Sequence, residues 1–295
     1  MIDFKTVIKA VGTGPKGNRN LSKDEVEFAM KSIMNRELSD AQIGAFLQGW
    51  RLSGESHEEL KYAYEYVISR IKYSDINENS IFCGYAYDGK IRNPYLLVLA
   101  SKYLKDIKIS LSIDDLVPAK NGVTTKMIPK EALTNTILND RSDFLNKVST
   151  LAPIRRELIV RTAFNTIEKL FNPSKSKYGV VGFTHGAYKE FYTSLRVSAG
   201  FDRLVVVKGG DEGSPDISKS CKLFILDEEK DFDIVLDIKD FGIESISTRE
   251  SKTKEEIISL MTNNNIDEKL IKLNASLLLI ASKKYDDIKE AYNSL

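Results

Sequence analysis

Five short runs of aliphatic and β-branched residues, at 81–83, 107–111, 179–183, 203–207 and 222–226, constrain the fold of this chain more than any other feature. Each is too brief to be a helix that buries one face, and segments with helical spacing, such as 188–197, lie between them. Parallel strands need a crossover and are covered on both faces, so this alternation predicts buried strands of a mostly parallel sheet. Before residue 72 the texture differs. Val7, Ile8 and Val11, then Val26, Phe28, Ala29, Ile33 and Met34, recur at helical spacing. Start signals precede these helices: Ser22 with Glu25 three residues on, Ser39 with Asp40, and Ser56 before Leu60, Tyr64 and Val67. The pattern therefore predicts an α/β protein with a small N-terminal helical domain, 1–72, and a larger α/β domain with a mostly parallel central sheet, 73–295.

A chain of 295 residues can bury a core in each of two such units. No apolar stretch is long enough to span a bilayer without a charge, and the start, through Val11 and Gly12, lacks an apolar run followed by a small-residue cleavage site. A cytoplasmic location with no membrane partner is expected. Cys83 and Cys221, His57 and His185 all stand apart, which argues against a disulfide framework and a zinc cage. Gly12-Thr13-Gly14-Pro15-Lys16-Gly17 lacks the residue order of a nucleotide-hydrolase phosphate loop, and no strand precedes it.

The formal net charge of +1 hides two unlike halves. Between 118 and 180, eleven lysines and arginines stand against five carboxylates. Further on, Asp227, Glu228, Glu229, Asp231, Asp233, Asp237 and Asp240 reverse the balance. A basic segment supports a groove for nucleic acid only if folding gathers its charges; otherwise it is a solvated face.

Several stretches resemble the anthranilate phosphoribosyltransferase (TrpD) family, within glycosyltransferase family 3 and the nucleoside phosphorylase class. The run from Leu38-Ser39-Asp40 through Gly44-Ala45-Phe46-Leu47 to Arg51-Leu52-Ser53-Gly54 looks like its helical domain. Arg156-Glu157-Leu158, Arg161-Thr162 and Phe164-Asn165, followed by Asn172-Pro173, are close to its R-E-L-x-x-R-T-x-F-N … N-P signature, and Asn274-Ala275 fits too. Where active members carry a glycine-rich turn and a downstream N-I-S-T element, this chain reads Gly84-Tyr85-Ala86-Tyr87-Asp88-Gly89-Lys90-Ile91-Arg92-Asn93-Pro94. Such turns need bare glycines so that backbone amides can approach a diphosphate, and two phenol rings are expected to close that pocket. The substitutions look like those of the YbiB-type paralogues, a resemblance that implies a homodimer binding single- or double-stranded nucleic acid with little sequence preference and no cofactor.

On that reading, Tyr85, Tyr87, Asp88, Gly89, Lys90 and Arg92 form a loop whose cations track phosphates while rings stack on bases, joined by Lys120, Lys126, Arg155, Arg156 and Arg161. No catalytic residue is assigned. The alternative is a magnesium-dependent phosphoribosyltransferase with an unknown acceptor, in which Asp211 and Glu212, matching the family's D-E pair in altered register, would hold the metal. His185 follows a run that predicts a strand; a lone histidine there is more often a cap or packing residue than a base. Trp50, Phe46 and Leu47 read most simply as core or dimer contacts.

Overall fold

The structure is a computed structural model that describes residues 2–73, 76–114, 120–184, 188–209, 211–263 and 265–295. Four helices come first: α1 (Phe4–Gly12), α2 (Lys23–Met34), α3 (Asp40–Ser53) and α4 (His57–Ile68). Capping boxes built by Ser22 with Glu25, Ser39 with Gln42 and Ser56 with Glu59 start the last three. In each, a hydroxyl and a side-chain carbonyl or carboxylate satisfy backbone N–H groups that a helix start leaves unpaired. Glu59 does more than cap. Buried, it also accepts from the Leu21 N–H (2.7 Å) and the Trp50 indole (3.2 Å), so its charge is met by donors from three segments. Trp50, Phe46 and Leu47 are core residues.

Seven strands follow: β1 (Ser80–Gly84), β2 (Lys108–Ile113), β3 (Thr136–Asp140), β4 (Tyr178–Phe183), β5 (Arg203–Lys208), β6 (Cys221–Asp227) and β7 (Phe232–Leu236). They form one sheet in the order β3-β2-β1-β4-β5-β6-β7, parallel from β3 to β5 and antiparallel at β6 and β7. Side chains alternate across a strand, so Val181, Leu204, Val206 and Phe224 join the helical layer on one face. Val180, Val205, Val207 and Leu223 join the long buried helix Glu268–Ala281 on the other. Asn274 pins that helix: its amide accepts from the Ile217 N–H and donates to the Ile217 carbonyl, each at 2.9 Å. The helical layer and one sheet face thus share a single core. Among the described residues, no helix is long and apolar enough to cross a membrane.

Chain order reverses between the neighbours β1 and β4, and the loops leaving such a reversal open a crevice at the carboxyl edge of the sheet. Gly84 ends β1 at that edge, where a Cβ would lie 2.2 Å from the Lys169 carbonyl oxygen and 2.6 Å from a Val181 methyl. One of these obstacles is backbone, so it cannot rotate away. Gly84→Ala should therefore cost about 3 kcal/mol of stability, at the upper end of ordinary overpacking, measured by urea unfolding. An unchanged midpoint would contradict this packing.

Candidate functional site

At the carboxyl edge a polar cleft opens between the helical layer and the sheet. Arg51, in the last turn of α3, forms its helical wall. Ala86 and Asp88 after β1, Thr184 after β4, and Glu212 with Gly213 beyond β5 form the sheet wall, and Arg161, Asn165 and Lys169 close the side.

Asp88 is wholly buried. Arg161 donates to its Oδ2 from both Nε (3.0 Å) and Nη2 (2.7 Å), while Lys120 Nζ lies 3.8 Å from Oδ1. The same ammonium is 3.5 Å from Glu212 Oε1, which also accepts from the Ile91 N–H at 2.9 Å. Glu212 sits at φ 62°, a left-handed conformation that turns its side chain back toward the loop after β1. Lys120 is brought in by a backbone crossing: Lys90 and Val123 exchange N–H bonds at 2.9 and 2.8 Å. The chains touch so closely that a Cβ on Gly122 would meet the Lys90 nitrogen at 2.6 Å. Burial lowers the affinity of Lys120 for its proton, opposed by Asp88 and Glu212.

Lys169, on the same side of the cleft as Arg161, donates to the Gly182 carbonyl at 2.5 Å, over the Tyr192 ring. Burial, aided by Arg161 and Lys120 nearby, brings its pKa down to about 8. Counted as ions, Asp88 and Glu212 face Arg161, Lys120 and Lys169, while Arg51 is paired with Glu55 at 3.1 Å. Cations exceed carboxylates in the cleft, which suits it to an anion.

Two domains of the glycosyl transferase family match this chain, the helical bundle domain over residues 5–70 and the a/b domain over residues 133–295. The chain belongs to that family. It is 26% identical to an anthranilate phosphoribosyltransferase of Thermoanaerobacter sp. (strain X514), over 92% of this chain and 88% of that protein. It is also 30% identical to an uncharacterized protein of Aquifex aeolicus (strain VF5), over 66% of this chain and 64% of that protein. In fold it is similar to anthranilate phosphoribosyltransferase from Saccharomyces cerevisiae in complex with PRPP and Mg, with a TM-score of 0.72 at 16% identity, covering 98% of this chain and 91% of that one. TrpD from Thermus thermophilus gives a TM-score of 0.70 at 17% identity, covering 98% and 92%.

Against this glycosyl transferase frame, the sequence-based site divides. Asp88, Arg161 and Lys120 meet at the cleft. The expected platform of exposed rings and cations after β1 does not exist. Tyr85 is buried and donates to Asp216 at 2.5 Å, and Tyr87 is buried with its ring 4.3 Å from the Arg141 guanidinium. Lys90 is buried too, spent on Asp216, Ser214 and the Pro94 carbonyl. The two rings also do not plug the cleft, since they turn inward and leave Ala86 facing it. What alters the turn is its backbone: the Tyr85, Gly89 and Lys90 N–H groups bind chain carbonyls. Arg92 is half-buried and outside the cleft lining.

Arg155 is buried in a double ion pair with Glu168 (2.8 and 3.0 Å), so it reaches no ligand, whereas Arg156 is exposed. Lys126 is exposed beside Asp140 at 3.7 Å and does not line the cleft. The basic segment forms no single track, because Lys175 and Lys177 precede β4 at one edge of the sheet and the cleft lies at the other. Asp211 and Glu212 diverge. Asp211 accepts from Lys219 (3.0 Å) and Asn93 (2.5 Å), and despite burial, bonds from Ser247, Lys219 and Asn93 hold it below the usual carboxylate range. No group of three metal-ligating side chains occurs among the described residues. His185 lies outside them.

Sequence reasoning assigned Arg51 no role and counted Lys169 only as one cation of the basic segment. Helical spacing places Arg51 in an amphipathic helix without saying which domain faces it, and Lys169 is one cation among eleven in its segment. An anion in the cleft favours the protonated Lys169 amine, so affinity should be full below pH 8 and fall as pH rises through it. Sulfate keeps its charge over this range. Calorimetry should find weaker sulfate binding at pH 9 than at pH 7, with the difference reduced in Lys169→Met; a flat wild-type profile would contradict the assignment.

Proposed function

We propose that this glycosyl transferase family member binds a phosphorylated ribose ligand in the cleft and handles it as a phosphoribosyl-transfer protein does. One observation carries the reading: Arg51 from α3, and Arg161 and Lys169 from the segment 161–169, converge on one cleft at the reversal between β1 and β4. Guanidinium groups offer a planar fork of donors matched to phosphate oxygens, and Lys169 adds a point charge from the drier wall. The relatives support it, since several are named anthranilate phosphoribosyltransferase and the yeast structure holds PRPP and Mg. With the phosphate on these cations, Asp88 and Glu212 would lie toward the sugar. The residues do not fit a magnesium ion. Asp211 is turned to Lys219, Asp88 is already paired with Arg161 and Lys120, and Glu212 with Lys120, so no step is assigned to a metal.

A second reading, a non-catalytic binder of nucleic acid, is favoured by the β1 loop, whose bonded amides make a poor diphosphate cradle. It would use Arg156, Arg161 and Lys126 at the surface. Self-association fits either reading, because Leu52, Ile159 and Val160 are exposed apolar residues where the helix Ala152–Leu158 packs on α3.

Titration with ribose 5-phosphate and with a labelled oligonucleotide separates the two. Arg51→Ala and Arg161→Ala should each weaken ribose 5-phosphate about tenfold, roughly 1.4 kcal/mol, while Lys126→Ala leaves it unchanged. Tight oligonucleotide binding that falls with salt and with Lys126→Ala, without ribose 5-phosphate binding, would favour the second reading instead.

A further inference from the structure

The carboxylates of the cleft have an unusual counter-ion. Asp88 Oδ1 and Glu212 Oε2 are buried and have no hydrogen-bond partner among the described residues. Both residues line the cleft, and carboxylate oxygens are the donors a hard divalent cation prefers. Yet the ammonium of Lys120 already stands between them, 3.8 Å from Asp88 Oδ1, 3.5 Å from Glu212 Oε1 and 3.4 Å from the Glu212 carbonyl oxygen. Arg161 contributes the second positive charge, on Asp88 Oδ2. Two carboxylates are thus neutralised by two side-chain cations. A divalent ion added here would leave a buried excess of two positive charges and would need oxygens about 2.0–2.1 Å away, inside the space the ammonium occupies.

We infer that Lys120 is a resident substitute for a divalent cation, so that this cleft takes its phosphate ester without a metal. The inference rests on the phosphorylated-ribose reading of the cleft. A fixed ammonium supplies one positive charge to the pair of carboxylates. That charge sits between the two carboxylates themselves, has no exchangeable coordination shell and does not dissociate under chelation. Removing it should restore the vacancy it fills.

Lys120→Met keeps an unbranched side chain one atom shorter and deletes the charge, leaving Asp88 and Glu212 free to bind a cation. The probe is Mn(II), followed by the loss of its free-ion electron paramagnetic resonance signal on binding to the full chain without any sugar. Wild type should bind Mn(II) at least about tenfold more weakly than Lys120→Met, and adding Glu212→Gln to that variant should abolish the gain. Wild-type affinity for ribose 5-phosphate should be the same in EDTA and in magnesium, whereas that of Lys120→Met should become magnesium-dependent. Tight Mn(II) binding by wild type that Glu212→Gln removes would overturn the inference, as would a Lys120→Met variant, folded by circular dichroism, that gains no Mn(II) affinity. Should Lys120→Met fail to fold, the wild-type arm decides: Mn(II) binding sensitive to Glu212→Gln overturns the inference, and its absence supports it. Failure of ribose 5-phosphate to bind in either buffer would defeat the functional reading of the cleft while leaving the Mn(II) comparison, which uses no sugar, to decide the role of Lys120.

Discussion

Asp88 is a carboxylate with no exposed surface, set two residues past the loop residue that faces the cleft at the end of β1. An isolated charge there would cost several kcal/mol, so the fold must deliver cations to it. It does so twice. Arg161 comes from the segment after the helix Ala152–Leu158, and Lys120 from the crossing of 88–90 with 122–123. These two pairings bring separate stretches to one edge of the sheet, where Arg51 and Lys169 also line the cleft. The backbone records part of the cost. Ile159, β-branched and exposed, lies at φ 64° just before Arg161, where the chain turns sharply through a bond from the Val160 N–H to the Leu158 carbonyl (2.7 Å). Strain of this kind persists where surrounding contacts fix the chain, as the Arg161 pair with Asp88 does here.

Much of the fold was legible because apolar periodicity reports burial directly. The five apolar runs correspond to β1, β2, β4, β5 and β6, and the serine start signals to the capping boxes of α2, α3 and α4. β3 and β7 escaped notice for a physical reason. They are the edge strands, and their exposed Leu138 and Val235 show that one face is not covered, so neither reads as a continuous apolar run. The helical layer and the sheet also share a core, which no local pattern in either segment announces.

The site was less legible, because residue type says what a side chain can do and not which way it points. Tyrosines beside lysine and arginine suit a nucleic-acid platform, yet alternation along the chain sends Tyr85 toward Asp216 and Tyr87 toward Arg141. The two arginines at 155 and 156 are neighbours in sequence and opposites in space, one locked on Glu168 and one exposed. Asp211 and Glu212 likewise face different partners. Of the expected set, Asp88, Arg161 and Glu212 line the cleft with Lys120 bridging the two carboxylates, while Arg51 enters it from a different domain and Lys169 from a position between the signature's fixed residues.

The central claim is that the cations lining the cleft, rather than Lys126 and Arg156 outside it, hold the phosphate. The most direct measurement is a crystal structure of the chain soaked with ribose 5-phosphate. The account places the phosphate within hydrogen-bonding distance of Arg51, Arg161 and Lys169, with Asp88 and Glu212 on the sugar side. A phosphate seated instead on Lys126 and Arg156, with the cleft left to water, would contradict it.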